Sequence, residues 1–312
     1  MSNSINNNHI ALSFDVEDWY HAAPVTGSSF SIYKSLDDFF FDKEVSKQDC
    51  ITNETIRIIK ILDELNIRAT FFIVADVAKR YPLITKALKN SQHEIASHSL
   101  NHHSAIDAKT KADLQTRDKW YEEQKEAKKA LENIFDKEVI GWRAPNAYFA
   151  NWMVPLLVKL GFKYDSSIAY NSFYNKTNVK LKDIPSRPYW LNSENLSHVN
   201  PDSKLLELPW SNYKINNRLI LPAGGGFFFR LAGYRFFKKV LNRSLKNGDS
   251  MFYLHPLDIS EKKIPLENKL SRPLLWMNKG KTTEKKLVKL LNNYKGILKP
   301  CSDIYYKYKE ES

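Results

Sequence analysis

Residues 10–18 read IALSFDVED, a mainly apolar run that ends in three carboxylates, Asp15, Glu17 and Asp18. The apolar part predicts a buried β-strand over residues 10–14. Six similar runs follow along the chain, at residues 69–74, 93–96, 139–142, 162–164, 205–208 and 250–254. Segments with helical periodicity separate several of them, at residues 53–65, 76–89, 111–135, 151–160 and 233–245. Repeated strand-then-helix units predict an α/β protein with a mainly parallel sheet.

The number of these units favours a barrel. Roughly eight strand–helix units in about 250 residues fit a closed or nearly closed (β/α) barrel better than a small open sheet. We expect a single domain over residues 10–300, with loop insertions at residues 28–50 and 170–201, where no clear period is visible. The polar, Asn-rich residues 1–9 are expected to be disordered, and residues 301–312 to form a C-terminal tail.

Length, composition and charge exclude several classes of protein. The 312 residues are 43% hydrophobic and 26% charged, which excludes collagen-like, coiled-coil and wholly disordered chains. The net charge of +12 suggests a polyanionic partner, but residues 261–312 alone hold 13 Lys/Arg against 6 Asp/Glu. Because no zinc-finger spacing or basic run interleaved with aromatics occurs, nucleic acid is not expected as a partner.

The number of cysteines and the polar N-terminal sequence indicate the cellular compartment in which the protein is expected. Cys50 and Cys301 are too few for a disulfide framework and are expected to be thiols in a reducing compartment. Without a signal-peptide pattern or a run of about 18 apolar residues, the cytoplasm is the expected location. The basic residues after position 261 have two explanations, a solvated surface or a weak peripheral contact with anionic lipid at the inner face of the membrane.

Polar side chains stand directly after several predicted strands. The first strand leads into Asp15, the strand at 93–96 into the histidine-rich segment at 97–103, the strand at 139–142 into Arg143, and the strand at 250–254 into His255. In a (β/α) barrel the carboxyl ends of the strands share one rim, and active sites form there. These residues are therefore expected to converge.

The histidines indicate a metal site. In a helical turn, His98 and His102 would project from one face and could hold one cation. Two imidazoles and one carboxylate leave a zinc site open for water or substrate. The three carboxylates at residues 15–18 exceed what one metal needs, which leaves one as a base. Arg143 could hold a carboxylate in an ionised orientation, and His255 could be a second proton-transfer group.

Four segments in this order, SFDVED at 13–18, SHSLNH at 97–102, WRAP at 142–145 and YLHP at 253–256, resemble the motifs of the polysaccharide deacetylase family (NodB homology, carbohydrate esterase family 4). The DVED start and LPAGGGF at 221–227 resemble the branch found in exopolysaccharide loci. The resemblance covers roughly residues 10–258. It implies a distorted (β/α) barrel of the NodB type and a hydrolase acting on C–N bonds other than peptide bonds.

The resemblance also implies roles for single residues. Asp15 matches the general base, His98 and His102 the metal-ligand histidines, Arg143 the arginine that orients the base, and His255 the general acid. The first motif departs from the family's two adjacent aspartates before a glycine, so the third ligand is Glu17 or Asp18. Alternation along a strand favours Glu17, because it would share a face with Asp15, whereas a turn starting at Val16 would favour Asp18.

These roles predict a metal-dependent hydrolase, with Zn²⁺ as the expected metal. Its substrate would be an N-acetylhexosamine in a polysaccharide or glycolipid precursor of exopolysaccharide or lipopolysaccharide. Metal-activated water, an Asp base and a His acid would remove the N-acetyl group, while Trp210, Pro145 and Tyr148 are the expected substrate contacts. The alternatives are a related metal-dependent amidase on a small C–N bond and a catalytically silent glycan-binding barrel.

Overall fold

Short parallel strands form one curled sheet at the centre of the chain. The structure is a computed structural model that describes residues 8–41, 48–216, 219–264 and 277–312. The strands are β1 (Ile10–Val16), β2 (Thr70–Ile73), β3 (Glu94–Ser97), β4 (Gly141–Trp142), β5 (Tyr164–Asp165), β6 (Tyr189–Trp190), β7 (Leu206–Glu207), β8 (Asn212–Lys214), β9 (Ile220–Pro222), β10 (Ser250–Leu254) and β11 (Leu298–Lys299). The main sheet has the order β10-β1-β2-β3-β4-β5-β7-β6, with β11 also paired to β1 and only β6 antiparallel. This sheet confirms the predicted α/β fold with a distorted (β/α) barrel.

Helices surround the sheet, and those that pack on its outer face share the larger apolar core with it. They are α1 (Leu36–Phe41), α2 (Thr52–Glu64), α3 (Ala75–Arg80), α4 (Pro82–Lys89), α5 (Arg117–Phe135), α6 (Met153–Lys159), α7 (Gly226–Ser244), α8 (Lys281–Tyr294) and α9 (Cys301–Glu310). The single helix predicted at 76–89 is two helices, because Pro82 lacks an N–H and disfavours helical backbone at Tyr81. The helix predicted from residue 111 begins only at Arg117, where the side chain of Thr116 caps it.

The side chains of strand β1 point alternately into two apolar layers. Leu12 and Phe14 belong to the core between the sheet and the helices, whereas Ala11 belongs to the core inside the curled sheet. Successive residues of a strand point to opposite faces, so Asp15 and Glu17 share the inner side with Ala11. The alternation of β1 therefore places two carboxylates inside the half-barrel, at its carboxyl rim.

Residues 210–216 and 219–225, which include the paired strands β8 and β9, lie between β7 and β10 and bridge the half-barrel. Ser211 Oγ donates to the carbonyl of Met251 at 2.7 Å, and Tyr253 N–H donates to the carbonyl of Gly224 at 2.9 Å. A Cβ at Gly225 would lie 1.8 Å from the Tyr253 carbonyl oxygen, and its φ is +139°. Only glycine fits this close approach, so the glycine run is a structural join beside the rim.

The C-terminal residues differ from the tail that the sequence suggested at 301–312. Helix α9 packs on the sheet with Cys301 and Ile304 buried. Its first backbone N–H, at Cys301, donates to Thr70 Oγ1 at 2.7 Å. Apolar residues one turn apart explain the packing, and the Lys-rich composition of the segment obscured it.

Two other expectations about the chain's organisation fall partly outside the described residues. The disorder predicted at residues 1–9 concerns mainly residues 1–7, which lie outside the described residues. The insertion predicted at 28–50 contains residues 42–47, which the structure does not describe either. The insertion at 170–201 is described throughout and carries β6. We propose that residues 10–300 and α9 form one domain.

Candidate active site

Glu17, His98 and His102 bring three potential ligand atoms together at the carboxyl rim. These atoms all lie within 4.8 Å of one another. Glu17 Oε2 lies 3.6 Å from His98 Nε2 and also contacts His102 Nε2, and the two Nε2 atoms are 3.2 Å apart. The imidazoles are buried, whereas the Glu17 side chain is 15% exposed to the cleft. One cation could therefore contact all three groups.

Backbone carbonyls determine the tautomers of both histidines. His98 Nδ1 lies 2.9 Å from the carbonyl oxygen of Arg143, and His102 Nδ1 lies 2.9 Å from that of His21. A carbonyl only accepts, so each Nδ1 carries the proton and each Nε2 presents a lone pair. Two lone pairs and a carboxylate oxygen form the donor set of an open zinc site, so these residues fit a divalent metal.

A loop, and not the helical turn expected from the spacing, brings the two histidines together. Ser99 and His102 have φ values of +71° and +59°, in the left-handed region. The hydroxyl of Ser99 accepts a hydrogen bond from His102 N–H at 3.0 Å. The structure thus brings together the two histidines that the i,i+4 spacing singled out, through a loop and not through a helix.

Glu17 and Asp18 have separate surroundings. Asp18 is 1% exposed and accepts hydrogen bonds from Trp19 N–H at 2.7 Å, Tyr81 Oη at 2.7 Å and Cys50 N–H at 3.3 Å. Burial raises the pKa of Asp18 to about 7, against the lowering effect of these donors. Asp18 is thus engaged beneath the rim while Glu17 faces the imidazoles, because β1 runs through Val16 without a turn.

Asp15 and Arg143 form a buried ion pair beside the histidines. Arg143 Nη1 donates to Asp15 Oδ1 and, at 3.1 Å, to the hydroxyl of Ser13. The guanidinium also donates to the backbone carbonyl and the hydroxyl of Ser166, at 2.8 and 2.9 Å, and its Cζ lies 3.9 Å from the ring centroid of Phe72. These contacts hold Arg143 rigidly, so that Asp15 has one fixed, ionised orientation.

His255 lies across the cleft with one nitrogen turned inward. Its Nε2 is 3.8 Å from Asp15 Oδ2 and 3.5 Å from Glu17 Oε1, while its Nδ1 lies 3.2 Å from Asp258 Oδ2. Burial alone would lower the pKa of His255, but the hydrogen bond and charge of Asp258, with Glu17 and Asp15, raise it to about 9. His255 can therefore hold a proton on Nε2, facing the cleft.

Asp258 and Arg230 are site residues that sequence reasoning missed. Arg230 Nε lies 2.7 Å from Asp258 Oδ1. Burial tends to raise the pKa of Asp258, but Arg230 and His255 outweigh this effect and lower the pKa below its ordinary value. The capping geometry explains Asp258, since it stands three residues after His255 and its carboxylate accepts the His255 backbone N–H at 2.8 Å. An acidic residue three positions after His255 was the sequence signal by which Asp258 could have been found. Arg230 lies on α7, far from the motifs, and the sequence offered no signal for it.

The cleft above these groups has a volume of about 530 Å³. Trp210 and Tyr148 line it, as the sequence suggested, together with Tyr174, Lys176 and Phe228. Pro145 does not line it, although its neighbours on both sides do, because its ring is buried at the start of a short 3₁₀ turn. The expectation of a direct substrate contact at Pro145 is therefore not supported by its position.

Two family models match adjacent parts of the chain. Residues 30–164 match the polysaccharide deacetylase model, and residues 172–296 match a domain of unknown function, DUF3473. The first match contains His98, His102 and Arg143, whereas the second contains Trp210 and His255. Since β5 of the first pairs with β7 of the second, both matches contribute to one sheet and one cleft.

Two curated relatives agree with the first match. A peptidoglycan deacetylase-like protein of Gibberella zeae is 30% identical over 115 residues, which are 36% of this chain and 32% of that protein. A peptidoglycan deacetylase of Helicobacter pylori is 28% identical over 119 residues, 38% of each protein. Residues 30–164 of this chain are thus similar to the polysaccharide deacetylase family. The alignments span only about a third of the length of these curated relatives.

Similar folds extend over almost the whole chain. A Mycobacterium smegmatis protein assigned to the polysaccharide deacetylases has a TM-score of 0.55 at 22% identity, covering 96% of this chain and 94% of its own. An allantoinase has a TM-score of 0.56 at 14% identity, covering 98% and 91%. At such identities the likeness concerns the fold alone, so the activity has to be argued from the site.

Proposed function

We propose that this protein is a metal-dependent N-deacetylase that removes the acetyl group from an N-acetylhexosamine in a glycan or glycolipid precursor. The observation that carries the proposal is the convergence, in one cleft, of a metal-ligand triad, a buried Asp15–Arg143 pair and the inward-facing His255. Amide hydrolysis needs a polarised carbonyl, a base for water and an acid for the leaving amine. Each of these tasks has a candidate group here.

Glu17, His98 and His102 would hold the metal, and zinc is the ion that we propose. A divalent ion held by them would polarise the acetyl carbonyl and make water more acidic. The backbone carbonyls behind the two histidines accept from Nδ1 and so orient both rings with their Nε2 atoms toward one point. Substrate can approach from the cleft, on the side where Glu17 is 15% exposed.

Asp15 would accept the proton of the attacking water. Its Oδ1 is bound by Arg143, and its Oδ2 lies 3.8 Å from His255 Nε2, so the base and the acid stand side by side at the floor of the cleft. Arg143 has no exposed surface, so the ion pair is shielded from solvent and holds its geometry. Arg143 is accordingly the residue that orients the base.

His255 would donate a proton to the departing amine. Its Nδ1 is held by Asp258, which leaves Nε2–H as the donor that faces the cleft. The raised pKa of His255, about 9, keeps the imidazole protonated at neutral pH. An amine is a poor leaving group unless it is protonated, so this proton is needed for the C–N bond to break.

The two alternative functions make different demands on the same residues. A silent glycan-binding barrel has no need for the complete set of Asp15, His98, His102, Arg143 and His255, all of which are present and brought together. An amidase acting on a small molecule could use the same set. The open cleft of about 530 Å³ with aromatic walls favours a sugar unit or larger.

Acetate release tests the proposal. The purified protein, loaded with zinc, should liberate acetate and an equal amount of free amine from N-acetylglucosamine oligomers. The Asp15→Asn variant should bind zinc and release none. No acetate from any N-acetylated glycan, together with turnover of a small amide, would favour the amidase.

The polymer that this reaction serves and its place in the cell are finer parts of the proposal. We propose a precursor of exopolysaccharide or lipopolysaccharide, modified in the cytoplasm, with Trp210 and Tyr148 as walls against the sugar. No helix in the described part of the chain has the length and apolar character needed to cross a bilayer. The exposed side chains of Lys281, Lys285 and Lys289 on α8 are where weak contact with anionic lipid would occur.

Vesicle binding separates the two explanations of this basic region. Neutralising the three lysines should reduce co-sedimentation with anionic liposomes if the helix contacts lipid. Unchanged co-sedimentation would identify α8 as an ordinary solvated surface.

A further inference from the structure

Asp18 has no task in the proposed chemistry, yet its carboxylate is buried and well supplied with donors. Its Oδ1 accepts Trp19 N–H and its Oδ2 accepts Tyr81 Oη, both at 2.7 Å. Cys50 N–H donates to the same Oδ2 at 3.3 Å. A buried carboxylate needs such donors, and in return it holds the backbone segments that supply them. One of these segments is the 3₁₀ turn at Trp19–His21.

This turn closes on Asp18 at both ends. The Asp18 backbone N–H donates to His21 Nδ1 at 3.1 Å, and the His21 backbone N–H donates to the Asp18 carbonyl at 2.9 Å. The third bond of the turn is the one from Trp19 N–H to the Asp18 carboxylate. Such capping bonds satisfy backbone groups that the start of a helical turn leaves open. They therefore fix His21 relative to Asp18.

The position of His21 matters because its carbonyl oxygen holds a metal-ligand histidine. His102 Nδ1 lies 2.9 Å from that oxygen, and the opposite nitrogen of the ring faces Glu17 and His98. The partner behind a ligating imidazole fixes the orientation of its ring. His98 depends on a different segment, since its Nδ1 lies against the carbonyl of Arg143. A displaced turn would therefore disturb one imidazole and leave the other in place.

The aromatic insertion at 28–50 encloses the turn. Trp19 and Tyr20 belong to an apolar cluster that also contains Phe39 and Cys50 of this insertion, and it is separate from the clusters on the two faces of the sheet. The ring centroid of Phe39 lies 5.2 Å from that of Trp19 and 4.8 Å from that of Tyr20. Aromatic pairs at these distances pack in defined geometries. The insertion thus supports the turn from one side while Asp18 closes it from the other.

We propose that Asp18 is a positioning residue of the metal site: it fixes the turn at Trp19–His21 and, through the His21 carbonyl, the orientation of His102. The inference rests on the proposed function for the metal, whereas the hydrogen bonds themselves belong to the metal-free protein. Glu17 and Asp18 are adjacent in the sequence and serve the same ion in different ways. One is a ligand, and the other holds the backbone that orients a ligand.

The first test follows the Nδ1–H protons of the two histidines by NMR in the metal-free protein. A ring N–H held by a buried carbonyl is protected from exchange with water, and His98→Ala and His102→Ala assign the two signals. We expect Asp18→Ala to shift or remove the His102 signal and to leave that of His98 unchanged. His98 is the control within the same molecule. An unaltered His102 signal in folded Asp18→Ala protein would overturn the inference.

The second test is zinc affinity, measured by competition with a chelator. Asp18→Ala should bind zinc about tenfold more weakly, and Tyr81→Phe, which removes one donor to Asp18, should weaken it less. Asp18→Asn keeps an acceptor for Trp19 N–H and should recover most of the loss. Thr116→Ala is the matched control: it removes the cap of α5 at an exposed position that does not line the cleft, so it should lower Tm without changing zinc affinity.

The outcomes also separate this inference from the proposed function. Equal zinc affinity in the natural protein and Asp18→Ala, or a loss that Thr116→Ala reproduces, would overturn the inference. A loss as large as that of His98→Ala would identify Asp18 as a ligand and would overturn it as well. If the His102 signal and zinc affinity depend on Asp18 but the protein releases no acetate from any N-acetylated glycan, the inference is upheld and the deacetylase activity is contradicted instead.

Discussion

The Nε2 atoms of His98 and His102 face each other at 3.2 Å, and in the neutral tautomers that donate from Nδ1 to the carbonyls behind the rings both Nε2 atoms carry lone pairs. Two lone pairs at this distance repel unless something positive lies between or beside them. Glu17 brings a carboxylate to the same place. The arrangement is therefore suited to a cation, and metal binding should depend on these side chains.

Substitution of one of these histidines should abolish high-affinity metal binding. We expect His98→Ala to lose at least about a hundredfold in zinc affinity, because it removes one of three protein ligands. The neighbouring histidine His103, which is not part of the triad, gives the matched control, and His103→Gln should retain stoichiometric zinc. Metal analysis after dialysis measures both. Retention of zinc by His98→Ala would show that the metal lies elsewhere.

Loss of the base should separate turnover from metal binding. In Asp15→Asn the side chain keeps its size and its place beside Arg143 but no longer accepts a proton. We expect kcat to fall by roughly 10³-fold, within the range for general acid–base groups, while zinc content is unchanged. Parallel measurement of acetate release and bound metal gives the result. Substantial activity in this variant would remove Asp15 from the mechanism.

The alkaline limit of activity should follow the pKa of His255. That pKa is raised to about 9, chiefly by Asp258 against the opposing effect of burial, and the imidazole donates only while it is protonated. Activity should therefore persist below this pKa and decline as pH rises through it. Asp258→Asn removes the raising charge, so the alkaline limb should move about one unit toward lower pH.

Two further variants make this prediction specific. Asp258→Glu keeps the charge and should leave the alkaline limb nearer to its original pH than Asp258→Asn does. Glu261→Gln removes a nearby exposed carboxylate and should leave the alkaline limb at its original pH. The measurement is kcat/KM against pH at fixed zinc concentration. An alkaline limb that is the same with and without the Asp258 carboxylate would contradict the assignment of His255 as the acid.

A buried pair of carboxyls beneath the site should make stability depend on pH. Asp165 and Glu207 are neighbours in register on β5 and β7 and have no exposed surface. Burial, with the charge of Asp165, raises the pKa of Glu207 well above its ordinary value, and burial also raises that of Asp165. Above about pH 4.3 this pair therefore binds more protons in the folded protein than in the unfolded chain, and the stability that it contributes falls as pH rises.

Glu207→Gln should weaken that dependence. Glutamine can still accept the hydrogen bond that Ile168 N–H donates to Glu207 Oε1 at 2.9 Å, and it has no proton to lose. We expect the difference in Tm between pH 5 and pH 8 to shrink by about 3 °C or more, while the exposed control Glu194→Gln behaves as the natural protein does. Thermal unfolding at several pH values measures it. An unchanged or steeper pH dependence would contradict the shared burial of the pair.

The sequence predicted those features that depend on local pattern. The alternation of β1 gave Asp15 and Glu17 a common face, and the positions after the strands gave His98, Arg143 and His255 a common rim. The fold class followed from the same alternation of strands and helices. These features are encoded over a few residues each, which is why they can be read without coordinates.

Features that depend on contacts between distant segments could not be predicted. Arg230 lies on α7 and contacts Asp258, which belongs to a different segment of the chain. Lys176 lies near the rings of Tyr148, Tyr174 and Trp210 because loops from different parts of the chain meet at the rim. The left-handed residues of the histidine loop also have no local sequence signature, since neither Ser99 nor His102 is a glycine. The sequence contains each of these residues, but it does not indicate which distant residues they contact.

The central claim is that a metal held by Glu17, His98 and His102 is needed to release acetate from a glycan. The most direct measurement follows acetate from an N-acetylated glycan with the protein as purified, after removal of metal with a chelator, and after titration with zinc. Activity should disappear with the metal and return in proportion to zinc up to one equivalent per chain. Full acetate release by the metal-free protein would contradict the account.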